Sequence, residues 1–161
     1  MSVEKFENEK WQKKEQGINF RIKAALAMVG KGPILDLGCG DGIFLELLKK
    51  KGIAGEGLDI SEVAVGKTRD KGLSAVQFDF SQKPLPFIDN SFEAVVLLDV
   101  LEHLYQPRNI LREASRVAGE VVVAVPNFNS LPARLQTLVG RVPENNLATK
   151  GHIYWFNRPA D

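Results

Sequence analysis

An α/β fold with a mainly parallel sheet and helices on both faces is predicted by three features of this 161-residue chain. Short apolar runs alternate with stretches of helical period, the order that builds parallel strands joined by helices. The first run, Ile34-Leu35-Asp36-Leu37, passes without a break into Gly38-Cys39-Gly40-Asp41-Gly42 and then into a helix from Ile43. Four successive strands also place a carboxylate near the carboxyl end: Asp36, Asp59, Asp79 and Asp99. In an open α/β sheet the ligand crevice lies outside those ends.

Each element has a local reason. The segment before residue 17 sets Phe6 and Trp11 in a charged background, as a lid or a docked arm. Asn19 caps a helix from Phe20 to Val29, with Ile22, Leu26 and Val29 on one face, which ends at Gly30 and Gly32. Strand one covers Pro33 to Leu37, and the helix Ile43 to Lys51 stops at Gly52. Ala54 to Asp59 is the second strand, and Ser61 caps a helix from about Glu62 to Lys71, weakened at Gly66 and ended by Gly72. Leu73 to Phe78 is the third strand, and a proline-containing loop over 83–90 leads into the fourth, Ser91 to Leu98. Pro107 opens a helix to about Val117. Glu120 to Val125 is a fifth strand, apolar enough to be central or well covered. Ser130 caps a short helix whose Leu131, Leu135 and Leu138 form a stripe expected in the core, or otherwise on a partner surface.

Composition narrows the class. A hydrophobic content of 44% suits one globular unit with its own core, and a net charge of +1 gives no reason to expect a nucleic acid partner. One cysteine rules out an internal disulfide and fits a reducing cytoplasm. No apolar run approaches the roughly 18 residues of a membrane span, so no membrane association is expected.

The glycine turn selects among nucleotide-like ligands. Alternating glycines permit positive φ and close backbone approach, and the helix N-terminus that follows favours an anionic group. The dinucleotide pattern G-x-G-x-x-G would need a glycine where Ile43 stands, and no phosphate-loop lysine follows. Asp36 ahead of the tight Gly38-x-Gly40-x-Gly42 resembles the first motif of class I S-adenosylmethionine (SAM) dependent methyltransferases. That resemblance implies a Rossmann-like fold, SAM as cofactor and S-adenosylhomocysteine (SAH) as product. It implies that Asp59 accepts from both ribose hydroxyls and Asp79 from the adenine amino group. Ile60 packs on the adenine, the Phe80 N–H meets a ring nitrogen, and Asp36 holds the turn and the ligand's ammonium. Gly38, Cys39, Gly40 and Asp99 complete the implied cofactor set, with the Cys39 side chain a small buried filler and Asp41 a turn residue.

The segment Asp99-Val100-Leu101-Glu102-His103 carries the chemistry that remains. A magnesium site there would need an acid after strand five, where Pro126-Asn127-Phe128 stands, so no metal is expected. His103 is the candidate catalytic residue, either a general base for the methyl acceptor or a structural lining of the pocket. The segment also departs from the Asn-Pro-Pro-Tyr motif of adenine and glutamine N-methyltransferases, so a small-molecule acceptor is expected.

A narrower resemblance, to the MetW family of methionine-biosynthesis proteins, covers about residues 30 to 155. It rests on the glycine motif, Val125-Pro126-Asn127-Phe128, Arg134-Leu135-Gln136, Leu138-Val139-Gly140-Arg141, Val142-Pro143 and His152-Ile153. It implies a SAM-binding partner of a homoserine acyltransferase as the alternative to methyl transfer. The domain organisation expected is an N-terminal arm and helix over 1–30 and a SAM-binding domain over 31–161. Class I methyltransferases end in an antiparallel hairpin, and only Ile153-Tyr154-Trp155-Phe156 reads as a strand here. The hairpin is therefore expected to be missing, with the chain cut short or strand five covered by a protein partner or a second copy.

Overall fold

A computed structural model describes residues 2–13, 17–127 and 130–141. The expected strand Ile153–Phe156, and the resemblance carried by Phe128, Val142, Pro143 and His152, lie outside the described residues.

Five strands form one sheet: β1 (Ile34–Leu37), β2 (Gly55–Asp59), β3 (Ser74–Gln77), β4 (Phe92–Leu98) and β5 (Ala118–Ala124). Their order is β3-β2-β1-β4-β5, and every neighbouring pair is parallel. Leu37 pairs with Leu58 on one side and Leu97 on the other, so the carboxyl ends of β1, β2 and β4 finish level. The chain leaves β1 toward β2 and β3, then returns to place β4 on the opposite side. That reversal beside β1 opens a crevice at the strand ends.

Alternation along the strands divides the core in two. Ile34, Ala94 and Val96 face one layer, with Ile22 and Ala25 of α2 (Phe20–Met28), Phe44, Leu45 and Leu48 of α3 (Ile43–Lys50) and Val65 of α4 (Glu62–Asp70). Leu35, Leu37, Val95 and Leu97 face the other, against Ile110, Ala114 and Val117 of α5 (Pro107–Val117). Arg116 of α5 then fixes the loop before β4, donating to the carbonyls of Phe87 at 2.8 Å and Leu85 at 3.1 Å. Two caps form as their residue types dictate. Asn19 Oδ1 accepts from the N–H groups of Arg21 and Ile22, and Ser61 Oγ from that of Ala64.

Three expectations are corrected. Strand β5 lies at the sheet edge among the described residues, with Val122 buried and Val123 exposed, so its apolar run reflects one covered face only. On α6 (Leu131–Leu138) the stripe of Leu131, Leu135 and Leu138 is exposed, and Ala133 is the buried residue. Ser130 makes no side-chain cap bond there. A helical period reports which residues share a face, and only packing decides which face is covered. Among the described residues no helix is long and apolar enough to cross a membrane.

Candidate functional site

A cavity of about 820 Å³ opens at the carboxyl ends of the strands, within the size range of small-molecule sites. Its walls come from the turn after β1, the ends of β2, β3 and β4, Pro126 after β5, and the N-terminal helix α1 (Val3–Lys13).

The glycine turn is built by short-range bonds to β2. The N–H groups of Gly38 and Cys39 donate to the Leu58 carbonyl at 2.7 and 3.2 Å, and Gly40 N–H donates to Asp59 Oδ2 at 2.9 Å. Gly38 lines the cavity with φ at +78°, and a Cβ there would strike Val100 Cγ2, so glycine is needed for both conformation and space.

Asp59 is 6% exposed, and its carboxylate joins two elements. One oxygen takes the Gly40 N–H, and the other takes the Ser61 N–H at 2.8 Å, at the start of α4. Burial pushes its carboxyl up, and the two backbone N–H bonds pull the other way. A carboxylate offers about four acceptor positions, so two backbone bonds leave about two for a ligand. Asp79, half-buried beyond β3, accepts from Ser81 N–H at 3.0 Å and Ser81 Oγ at 2.6 Å, both on Oδ1. Ile60 and Phe80 line the wall between these two acids.

The far end of the cavity is more polar than the sequence suggested. Asp99 follows β4 in the left-handed region, with φ at +57°, a conformation aspartate tolerates better than most residues. Its Oδ1 pairs with Arg21 Nη1 of α2 at 2.9 Å. Glu102 and His103 follow on a single helical turn, Leu101–His103, and both contribute to the wall. Glu102 is 0% exposed, and its carboxyl is pushed up to about 7, chiefly by burial.

Helix α1 covers the cavity as a docked arm, bonded on the β2 and β3 side. Asn8 Oδ1 accepts from Ser61 Oγ at 2.6 Å, Gln77 Nε2 donates to Glu4 Oε1 at 3.0 Å, and the buried Trp11 faces the cavity.

Of the expected site residues, Gly38, Asp59, Ile60, Asp79, Phe80, Asp99 and His103 share this one cavity, while Asp36, Cys39 and Gly40 stand behind its wall. Every residue of the central strand β1 is buried, so Asp36 is enclosed. Burial, with Asp59 adding repulsion, pushes its carboxyl up to about 8. The Cys39 side chain fills the space beside Gly57, in the core as a filler should be, and burial pushes the thiol up, away from nucleophilic use. The Gly40 N–H is engaged by Asp59. Arg21, Lys10, Gln77 and Glu102 line the cavity without having been singled out as site residues. Only Glu102 carried a usable signal, an acid one residue before the candidate histidine. Among the described residues, no group of three His, Cys, Asp or Glu is gathered as a metal site.

Comparison with known proteins gives concordant matches. The family model for methionine biosynthesis protein MetW matches residues 19–160. A ubiquinone biosynthesis O-methyltransferase of Methylococcus capsulatus is 32% identical over 127 residues, covering 74% of this chain and 53% of the relative. A SAM-dependent methyltransferase structure from Archaeoglobus fulgidus aligns with a TM-score of 0.65 at 25% identity, covering 85% of this chain and 60% of that one. One from Thermotoga maritima aligns with a TM-score of 0.66 over 85% and 63% of the two chains, and at 21% identity it supports the fold alone. The chain thus spans about half to three-fifths of the length of these relatives.

Proposed function

Because the chain belongs to the MetW family of methionine biosynthesis proteins and has the class I methyltransferase fold, we propose that it binds SAM in this cavity and transfers the methyl group to a small-molecule acceptor. The observation that carries this reading is the Asp59 carboxylate. It locks the glycine turn to α4 while facing the cavity, and it keeps acceptor capacity for both hydroxyls of a ribose. Asp79 would take the adenine amino group, with Ile60 and Phe80 against the ring and the Gly38 turn against the amino-acid end. When bound, SAM supplies a methyl group already activated on a sulfonium, so the protein's work is mainly orientation and exclusion of water. Trp11 and the rest of α1 would supply that cover, and His103, which lines the cavity, would take a proton from the acceptor.

Titration calorimetry tests the donor. Binding of SAM or SAH is expected, and no heat with either, alongside clear binding of NADH, would defeat the reading. Asp59→Ala is expected to weaken SAM binding by about 10- to 150-fold, the cost of charge-assisted hydrogen bonds worth about 1.5 to 3 kcal/mol. Asp41→Ala should have a smaller effect, because Asp41 is outside the cavity and its Oδ2 faces Lys71 Nζ at 3.7 Å. Equal dissociation constants for the two variants would contradict the assignment.

One observation favours a second reading, a SAM-binding partner of a homoserine acyltransferase without methyl transfer of its own. The α6 stripe of Leu131, Leu135 and Leu138, extended by Val139, is exposed, as is Val123 of the edge strand β5. Retained SAM binding without SAM consumption across a metabolite panel, together with complex formation with such an acyltransferase, would select it.

A further inference from the structure

Six carboxylates line the cavity, and they differ in how the protein has prepared them. Glu4 accepts from Gln77, Glu7 pairs with Lys10 at 2.8 Å, and Asp99 pairs with Arg21. Asp59 is held by two backbone N–H groups and Asp79 by Ser81. Glu102 is set apart by complete burial, although its residue forms part of the wall. The charged groups around it come from each neighbouring element: Asp99 beyond β4, Arg21 of α2, Lys10 of α1, and the His103 imidazole next in the chain. Burial, the largest influence, and Asp99 favour its neutral form, while a backbone N–H bond from its own residue, Arg21 and Lys10 oppose them without prevailing. Near neutral pH this carboxyl is therefore balanced between acid and carboxylate, and a positive charge brought into the same cavity shifts it toward the carboxylate.

SAM bears a sulfonium and has a net charge of about +1, whereas SAH is neutral overall. Resting on the methyl-transfer reading above, we propose that Glu102 is the residue by which this cavity distinguishes the charged donor from its neutral product. It gives up its proton to solvent as the sulfonium enters and takes one back when only the thioether remains. The charge that holds the donor is then withdrawn from the product, which favours exchange of SAH for SAM.

The test needs no methyl acceptor. The 161-residue chain is titrated with SAM and with SAH between pH 5.5 and 8.5, in two buffers of different protonation heat. The SAM dissociation constant is expected to fall by about three- to tenfold per pH unit up to about pH 7 and then level off, with proton release on binding. Asp36 and Asp59, also pushed upward, act on both ligands, so the SAM-minus-SAH difference isolates the sulfonium. Glu102→Gln is expected to abolish the pH dependence of that difference. Equal slopes for the two ligands, or a difference unchanged in Glu102→Gln, would overturn the proposal. Should the glutamine variant fail to fold, Glu102→Asp keeps an acid at a displaced position, and a midpoint pH identical to the parent's overturns it equally. Failure of both ligands to bind at any pH defeats the donor reading and this proposal with it. Binding of both without a charge-dependent difference defeats only the role of Glu102.

Discussion

Raising the pH from about 4 to about 8 is expected to destabilise the folded chain, and Asp36→Asn is expected to remove most of that loss. Asp36 lies in the central strand, fully enclosed, with its carboxyl pushed up from 3.8 to about 8, first by burial and then by Asp59. The folded state therefore binds a proton that the unfolded chain has already released within this window. Stability present below about pH 4 falls as pH rises through the folded value, the reverse of the usual ion-paired carboxylate. A shift of this size corresponds to on the order of 6 kcal/mol, at about 1.4 kcal/mol per unit. Glu102 adds to the same trend between about 4.5 and 7. Glu46 and Glu113, held below their ordinary value by Lys50 and Arg116, act in the opposite sense but below about pH 4.5. Urea midpoints measured from pH 5 to 8.5 check this. The parent curve should fall with pH and the Asp36→Asn curve should be flatter, whereas parallel curves would show that Asp36 does not carry the buried proton.

Replacement of His103 by alanine is expected to cut turnover by about 10²- to 10⁴-fold while leaving SAM affinity nearly unchanged. His103 lies in the cavity wall on the turn after β4, whereas the residues assigned to the adenosine follow β2 and β3. Loss of a proton acceptor should also remove the acidic limb of the pH–rate profile. A structural histidine would behave differently, with SAM affinity or thermal stability falling and the remaining activity keeping its pH shape. Wild-type turnover in His103→Ala, once saturated with SAM and an acceptor identified from a metabolite panel, would remove His103 from the mechanism.

Much of the cavity end proposed to hold the adenosine was legible because its signals are local. Gly38, Gly40 and Gly42 must take positive φ at the turn, and each does. Asp59 and Asp79 sit where a strand stops, and parallel register brings those stops to one side of the sheet. The opposite end, around Asp99 and Glu102, was not legible in the same way. Nothing near Asn19 announces that Arg21 will pair with Asp99, because that contact joins the start of α2 to the end of β4. Asp36 and Asp59 read alike as carboxylates after apolar runs. Asp36 falls within the central strand and is enclosed, and Asp59 ends β2 and reaches the cavity.

By itself, then, the sequence determined the order of strands and helices, the glycine turn and the series of carboxylates at the strand ends, because backbone preference and side-chain period act over a few residues. Only the tertiary structure decided which of those carboxylates meets the cavity, that Glu102 is wholly buried, that α1 docks over the site through Asn8 and Trp11, and that the α6 stripe faces outward. Burial and long-range pairing depend on which elements the sheet order brings together. A period of 3.6 or 2 residues describes a face without naming what covers it.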